Sequence, residues 1–353
     1  MKKVTIQDIA DALGVSRNTV SKAINNAEGL ADATRERILQ KAVEMGYKQF
    51  SYVHAFSAVS DGDAGNQTLP GLRGEIALLT NIFLTQSHFA STMLDKFQRE
   101  VSLLGYSMGT YRVSEADLRA KSLPVGFLQE RVKAIICIEM FDYDYDEMLC
   151  ELGIPVLFVD GPCKLGGRSL PADQLYMDNS QEISRFVTRQ LDRGLRRIGF
   201  VGNYRHCQSF YERYLAFRGA MLLGGAEVEE DWCIFSNRIT DTIVEELAQM
   251  QRLPDVFLCA NDFVAWELVR ALYSIGKAVP EDVRILGFDD APESRIMHPP
   301  LSTVHIHTQV MAFSAVQLLM SRLKEPSLDY RIVHTQTDLI ERESTGYRGG
   351  ESR

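Results

Sequence analysis

Apolar side chains near the N-terminus recur at helical spacing in two consecutive runs. The first run consists of Ile6, Ile9, Ala10 and Leu13, and the second of Val20, Ala23 and Ile24. A stripe of this kind predicts an amphipathic helix. Thr5 and Ser16 precede the two runs as predicted N-caps, and Gly14 is placed to end the first helix. The pattern therefore predicts two short helices joined by a tight turn.

A third helix is predicted from about residue 32 or 34 to Met45, with Ile38 and Ala42 in its buried stripe and Gly46 at its end. Two helices around a tight turn, with a supporting helix, form a helix-turn-helix unit. The side chains predicted to point outward from the second helix are Arg17, Asn18, Ser21 and Lys22. Residues 12–27 contain no Asp or Glu, so this surface could face a polyanion.

From residue 75 onward, apolar runs of strand length alternate with amphipathic helical stretches. The predicted strands are 76–79, 134–138, 156–159, 198–201, 256–260 and 285–288. The predicted helices are 89–104, 179–193, 209–223, 262–275 and 308–323. This alternation predicts the α/β class, with doubly wound sheets.

Residues 57–74 are rich in Gly, Asp, Asn and Pro and have no apolar period, which is typical of a linker. The predicted domains are a helix-turn-helix head at 1–47, an atypical hinge with a flexible linker at 48–74, and a binding and dimerisation domain at 75–353. Within that last domain, we expect lobe one to cover about 75–176 plus part of 304–325, and lobe two about 177–303 plus part of 326–348.

Composition narrows the class of protein. The 353 residues have a formal net charge of −9, yet residues 1–48 contain more basic than acidic side chains, so a basic head precedes an acidic body. No apolar run reaches the roughly 18 residues of a membrane helix, and the N-terminus turns acidic before a signal peptide could form. The six cysteines never form a C-x-x-C pair. We therefore expect a cytoplasmic protein without a membrane partner, a metal or a cofactor.

Short motifs in both regions are familiar. In the head they are Val4-Thr5-Ile6-Gln7-Asp8-Ile9-Ala10, Gly14-Val15-Ser16, Thr19-Val20-Ser21 and Thr34-Arg35-Glu36. In the body they are Ile198-Gly199-Phe200-Val201-Gly202, Ala260-Asn261-Asp262 and Val279-Pro280-Glu281-Asp282-Val283-Arg284-Ile285-Leu286-Gly287-Phe288-Asp289-Asp290. With these motifs the chain resembles the lactose-repressor/galactose-repressor family of bacterial transcription regulators. The resemblance implies a DNA-binding head and a two-lobed, periplasmic-binding-protein-like sensor that dimerises and binds a small molecule between its lobes.

A recognition helix reads base edges with its N-terminal residues. We expect Arg17 and Lys22 to contact guanine and Asn18 to contact adenine. Side chains expected to touch the DNA backbone or assist from the head are Thr5, Ser16, Thr19, Ser21 and Asn25. The alternative is that the two basic side chains belong to an ordinary solvated helix face.

After the third helix, the family continues with a hinge helix that inserts an apolar side chain into the minor groove. This chain departs from that pattern between Tyr47 and Phe56 and lacks its Pro, Asn, Ala and Arg. One interpretation places Tyr47 and Phe56 on the DNA, with Phe56 as the apolar wedge. In the other, the apolar side chains that pack against the sensor or the partner subunit are Phe50, Tyr52, Val53 and Phe56.

The resemblance also implies ligand contacts, because loops at the carboxyl ends of strands line the cleft of such a sensor. Arg213, Asn261 and Asp289 match family ligand positions, and their mixture of donors and acceptors suits a sugar or sugar derivative. Further candidates in the loops are Thr80, Phe83, Phe89 and Glu139. The alternatives are that Asp262 and Asp290 are helix N-caps and that Arg213 forms an ion pair within its own helix.

His305 and His307 share one face of an extended segment, which suggests either a metal site or a crossing between lobes; the crossing is the preferred interpretation. No hydrolase, nucleotide-binding or zinc-protease motif is present, so we expect no enzyme. The predicted function is a ligand-responsive repressor of carbohydrate-utilisation genes that binds a near-palindromic operator as a homodimer. The alternative is a metabolite-binding protein or enzyme whose head serves oligomerisation.

Overall fold

The computed structural model describes residues 4–24, 34, 37–38, 41–42, 45, 73–81, 88–167, 169–236 and 239–347. The chain divides into two compact units, Met1–Leu69 and Pro70–Arg353. Among the described residues, none of the helices combines the length and the hydropathy needed to cross a bilayer.

The smaller unit contains helices α1 (Ile6–Leu13) and α2 (Arg17–Ile24). As predicted, Thr5 caps α1, and Gly14 ends it with a φ of 65°, a left-handed conformation that glycine adopts without steric cost. Residues 34, 37, 38, 41 and 42 are helical and Met45 lies in a turn, whereas the remaining positions of the predicted third helix lie outside the described residues. The buried core of the unit consists of Ile9, Ala10, Val20, Ala23, Ile38 and Ala42.

The larger unit contains two parallel sheets, in agreement with the predicted α/β class. Its strands are β1 (Gly74–Thr80), β2 (Tyr106–Arg112), β3 (Val132–Ile138), β4 (Val156–Val159), β5 (Asp173–Met177), β6 (Ile198–Val201), β7 (Val256–Cys259), β8 (Arg284–Leu286), β9 (Thr303–Ile306), β10 (Ile332–Thr335) and β11 (Thr337–Ile340). The first sheet has the order β10-β5-β4-β3-β1-β2 and the second β6-β7-β8, and all pairs within them are parallel. Each sheet defines one lobe.

Helices cover the sheets because a parallel strand is apolar on both faces. They are α3 (His88–Leu103), α4 (Glu115–Ala120), α5 (Tyr143–Cys150), α6 (Gln181–Asp192), α7 (Gln208–Leu223), α8 (Ile239–Gln249), α9 (Asp262–Ser274) and α10 (Thr308–Lys324). The strands of the first sheet are almost fully buried at its centre, as in β4, where all four residues are buried. The α/β core therefore lies between the sheets and these helices.

Three chain segments cross between the lobes and are bonded to one another. The Asp178 N–H donates to the Thr335 carbonyl (2.7 Å), and the Thr337 hydroxyl donates to the Asp178 carbonyl (3.0 Å). Strands β9 and β11 form a two-stranded antiparallel pair beside them. The C-terminal segment thus contributes α10 and β10 to lobe one and then returns to lobe two, where the Ser344 hydroxyl donates to the Ile285 carbonyl (2.7 Å).

Several elements differ from the sequence prediction. Strands β2 and β5 and helices α4, α5 and α8 were not predicted. Strand β2 lies at the edge of its sheet, and no residue in it is fully buried, so it lacks an apolar run. Strand β5 is buried throughout but begins with Asp173, whose carboxylate accepts hydrogen bonds from Arg322 and Arg331.

Candidate nucleic-acid interface and ligand cavity

One face of α2 presents polar side chains to solvent. Arg17, Asn18 and Lys22 are exposed, and all three lie on this one short helix. The helix begins where the Ser16 hydroxyl accepts the Thr19 N–H at 3.0 Å, which is the predicted cap. The buried side chains on the opposite face of α2 hold it against α1. The helix therefore presents polar side chains that can form hydrogen bonds on an exposed surface.

The hydroxyls of this unit have local partners. Ser16 Oγ and Thr19 Oγ1 hydrogen-bond to each other (2.7 Å), and Thr5 Oγ1 donates to Asp8 Oδ2 (2.6 Å). Thr19 and Ser21 are half-buried, whereas Thr5 and Ser16 are exposed. The remaining candidates of the head and hinge, Asn25, Tyr47 and Phe56, lie outside the described residues, as does the ligand candidate Phe83.

A cavity of about 440 Å³ lies between the carboxyl ends of the two sheets in the larger unit. This is the position at which open α/β sheets bind ligands. Its described lining residues are Phe89, Ser91, Glu139, Phe141, Asp160, Met177, His206, Cys207, Ser209, Phe210, Arg213, Asn261, Asp262, Phe263, Trp266, Asp289, Ala291 and Glu293. Both lobes contribute to the wall, so the cavity changes shape if the lobes move.

Arg213 of α7 is a fixed point in this wall. Only 2% of the residue is exposed, and its guanidinium stacks 3.5 Å from the ring centre of Phe288. Nε donates to Asn179 Oδ1 (2.9 Å), and Nη1 donates to the Ala260 carbonyl (2.6 Å). These partners lie outside α7, so the alternative of an ion pair within its own helix is wrong. A guanidinium held in this way loses little conformational entropy when it binds a ligand oxygen.

Asp289 lies next to Arg213, with Oδ1 3.9 Å from Nη1. Burial raises the pKa of the Asp289 carboxyl well above its usual range, although the neighbouring guanidinium acts in the opposite direction. Asp160, directly after β4, accepts the backbone N–H groups of Gly161 (2.9 Å) and Ser209 (3.2 Å), and burial raises the pKa of its carboxyl too. One buried carboxyl, that of Asp160, and one half-buried carboxyl, that of Asp289, thus lie in the wall of the cavity.

Three acidic lining residues have left-handed backbone conformations. The φ angles are 55° at Glu139, 58° at Asp160 and 122° at Asp289. A non-glycine residue in this region is strained by about 1–3 kcal/mol, and such residues cluster at functional sites. Each of the three follows a strand of its sheet closely, so the strain lies where the chain turns its side chains into the cavity.

Asn261 and Asp262 have different roles at the start of α9. Asn261 is the N-cap, since its Oδ1 accepts the Val264 N–H at 2.9 Å. Asp262 accepts hydrogen bonds from the Ala291 N–H and from the Ser294 and Thr303 hydroxyls, and burial raises the pKa of its carboxyl to about 6. The alternative that Asp262 is a helix N-cap is therefore wrong.

The loop candidates and the histidine pair occupy different places. Phe89 and Glu139 line the cavity, whereas Thr80 is buried at the end of β1 and is not among the lining residues. His305 Nδ1 lies 3.0 Å from Asp290 Oδ2, and His307 Nε2 lies 3.1 Å from Asp338 Oδ2. Within the described ranges, no group of three or more His, Cys, Asp or Glu side chains could hold a metal ion. The two imidazoles instead contact Asp290 and Asp338 in the region where the chain crosses between the lobes.

Asp290 has no capping role, contrary to the alternative weighed for it. Its carboxylate accepts from Arg342 (2.5 Å), Arg295 (2.7 Å) and the His305 ring. Although burial acts in the opposite direction, these partners lower the pKa of the Asp290 carboxyl far below its usual range. Asp290 is therefore an ionised centre behind the cavity.

Some lining residues were not among the sequence candidates. Asp160 follows an apolar strand directly, so the rule that selected Asn261 and Asp289 could have found it. The aromatic side chains Phe141, Phe210 and Trp266 gave no such indication, because an aromatic residue in a helix or loop is more often part of a core.

Comparison with known proteins agrees with both parts of this architecture. A sequence model described as bacterial regulatory proteins, lacI family, matches residues 5–49, and one described as a periplasmic binding protein-like domain matches residues 187–345. The chain thus has a lacI-type helix-turn-helix domain and a periplasmic-binding-protein-like domain, and it is homologous to regulators of the PurR and LacI type. It is homologous to ligand-responsive, DNA-binding transcriptional repressors, and the family consists of transcriptional regulators.

Relatives align along nearly the whole chain. The HTH-type transcriptional repressor PurR of Vibrio cholerae is 27% identical over 354 residues, covering 96% of this chain and 97% of the relative. PurR of Photobacterium profundum is 24% identical over 347 residues, covering 96% and 98%. Two solved structures share the fold. They are a transcriptional regulator CelR–cellobiose complex (TM-score 0.68, 23% identity, 97% of this chain and 100% of that chain) and a lac repressor dimer bound to operator and the anti-inducer ONPF (TM-score 0.65, 20% identity, 98% and 99%).

Proposed function

We propose that this protein is a transcriptional repressor that binds a near-palindromic, double-stranded DNA operator as a homodimer. The main support is the surface of α2, where Arg17, Asn18 and Lys22 are exposed on a helix whose start is fixed by the Ser16 cap. Arginine and asparagine can each make bidentate contacts to a base edge. A two-fold dimer presents two such helices, so the DNA site has matching symmetry.

The same proposal assigns the cavity to a small-molecule effector, a sugar or sugar derivative, which Arg213, Asn261 and Asp289 contact. Its support is the fixed guanidinium beside a carboxyl, together with aromatic walls that suit the apolar faces of a sugar ring. A relative of the same fold has been solved with cellobiose. Genes for carbohydrate use are therefore the proposed targets.

In this proposal the effector acts by stabilising one arrangement of the two lobes. Since residues of both lobes line the cavity, a ligand binds the closed and open arrangements with different affinity, and only that difference can alter DNA binding. The ligand is bound reversibly and released unchanged, and the protein works in the cytoplasm on DNA.

The DNA proposal is tested by selecting duplexes from a randomised pool with the purified full-length chain. We expect enrichment of a two-fold symmetric sequence. Arg17→Ala should then weaken binding to the selected duplex by roughly 10- to 100-fold, because one base-edge contact is worth about 1–3 kcal/mol. Fluorescence anisotropy at fixed salt measures this change.

The matched control is Arg270→Ala, which removes an exposed arginine from α9 of the larger unit. It removes the same formal charge and should leave DNA affinity unchanged. Equal affinity of the Arg17→Ala variant and the unaltered protein, with an unchanged circular dichroism spectrum, would exclude Arg17 from the interface. Failure to enrich any symmetric sequence would argue against the proposed function itself.

A further inference from the structure

The acidic side chains of the cavity outnumber the basic ones. Glu139, Asp160, Asp289 and Glu293 line it, and among the described lining residues Arg213 is the only one with a permanent positive charge. His206 adds none near neutral pH, because burial lowers the pKa of its imidazole. The described part of the cavity wall therefore contains more carboxyls than cationic groups.

One further lining carboxyl is satisfied within the protein. Asp262 accepts hydrogen bonds from a backbone N–H and two hydroxyls, so it is not available to a ligand. Asp160 and Asp289 are different. Asp160 accepts two backbone N–H groups through one oxygen, Oδ1, and Asp289 has its nearest cation 3.9 Å away. Both present carboxyl oxygens to the cavity, and although burial raises the pKa of each carboxyl, an ammonium group beside them favours the ionised form and is then bound by it.

The aromatic walls provide a second, independent indication. Phe89, Phe141, Phe210, Phe263 and Trp266 line the same cavity, and the faces of aromatic rings attract cations. The indole N–H of Trp266 is buried and has no hydrogen-bond partner in the described part of the chain. A buried N–H without an acceptor is costly.

We propose that the cavity selects a ligand with a protonated amine on a hydroxyl-bearing ring, such as an amino sugar, over its neutral or phosphorylated counterpart. This inference rests on the proposed function, because it takes the cavity as the effector site. The amine lies among the carboxyls of Asp160, Asp289 and Glu293, and the ring packs on the aromatic walls. A phosphate would meet the same carboxyls and is repelled.

Binding is measured by the fluorescence of Trp266, since the chain has two tryptophans and Trp232→Phe removes the other. The full-length Trp232→Phe protein is titrated with glucosamine, galactosamine and mannosamine, each beside its parent hexose and hexose 6-phosphate. We expect at least one amine to bind about tenfold more tightly than its parent, and the phosphates to bind most weakly. A parent hexose or phosphate that binds as tightly as its amine, or no saturable signal with any of the three amines, would overturn the inference.

Glu293→Gln tests the role of charge without altering Arg213 or its partners. This variant should reduce the preference for the amine over the parent hexose several-fold, while Glu281→Gln, an exposed carboxyl outside the cavity lining, should leave it unchanged. The ratio of the two affinities is decisive, because a distorted cavity would weaken both ligands together. An unchanged ratio in Glu293→Gln would count against the assignment of the amine.

The two proposals fail separately. A protein that selects a symmetric DNA sequence but prefers neutral hexoses retains the proposed function and loses only this inference. A protein that selects no DNA loses the proposed function whichever sugar it binds.

Discussion

The crossing region beside β9 and the outer layer of lobe one each bury an aspartate, in opposite surroundings. Asp290 is surrounded by Arg295, Arg342 and His305. Asp146, on α5, is fully buried, and neither of its carboxyl oxygens has a hydrogen-bond partner among the described residues. Burial, and then the charge of Asp142, raise the pKa of the Asp146 carboxyl well above its usual range. Thus cations favour the ionised form of the Asp290 carboxyl, whereas burial favours the protonated form of the Asp146 carboxyl.

The difference shows that burial of a carboxyl has two solutions with opposite pH dependence. A lowered pKa contributes stability that is present above the unfolded pKa and is lost as the pH falls. A raised pKa contributes stability that is present at low pH and is lost as the pH rises through the folded pKa. Substitutions at Asp290 and Asp146 should therefore change the stability of the protein in opposite directions near neutral pH.

The largest effect is expected for Asp290→Asn. The change leaves Arg342 and Arg295 without their buried carboxylate, so we expect the free energy of unfolding to fall by about 3 kcal/mol near pH 7. The loss should shrink as the pH drops below about 4, since the unfolded state of the unaltered protein then binds a proton at Asp290 that the folded state does not bind, and its stability falls. Urea unfolding across this pH range measures both quantities. A loss that is independent of pH would contradict the ionised state of Asp290.

A smaller effect of opposite sign is expected for Asp146→Asn. Burial favours the protonated form of Asp146 in the folded state, and asparagine removes the cost of either protonating this carboxyl or burying its charge, so stability near neutral pH should rise by about 1–2 kcal/mol. The gain should vanish near pH 4, where the unfolded carboxyl is itself half protonated. Asp144→Asn is the control, because Asp144 is exposed on the same helix. Equal gains in stability from Asp146→Asn and Asp144→Asn would show that the gain comes from the charge on the helix and not from burial of the carboxyl.

The smallest effect is expected where a carboxylate is exposed. Glu230 and Arg218 are 3.4 Å apart, with exposed side-chain fractions of 68% and 49%. Glu230→Gln should change the free energy of unfolding by less than about 0.5 kcal/mol, because solvent and salt screen such a pair. The same urea titration, repeated at high salt, measures this. A loss comparable to that of Asp290→Asn would mean that burial is not what distinguishes the sites.

The surface of α2 could be read from the sequence because its determinants are local. Thr5, Gly14 and Ser16 mark the helix ends within a few residues, and the apolar spacing determines which side faces outward. Similarly, Asn261 and Asp289 follow apolar runs, and the structure brings both to one cavity. Local patterns thus suffice where a cap or a strand end sits beside the functional residue.

Other features depend on contacts between distant parts of the chain. Strand β5 begins with Asp173, and only the later residues Arg322 and Arg331 make that buried charge stable. Trp266 lies in α9 like any apolar helix residue, and its unpaired N–H becomes visible only once the lobes are assembled. No spacing rule in the sequence indicates partners so far apart.

The three crossing segments also set the mechanics of the larger unit. They lie side by side and are bonded to one another at Asp178, Thr335 and Thr337, with the pair β9 and β11 alongside. Three bonded segments that lie side by side allow the lobes to rotate about one axis, but they resist sliding and twisting of one lobe against the other. We therefore expect the two lobes to open and close by a hinge motion about one axis that passes through the crossing segments. A small molecule bound in the cavity contacts both lobes at a distance from this hinge axis. Weak contacts there are enough to favour one angle between the lobes.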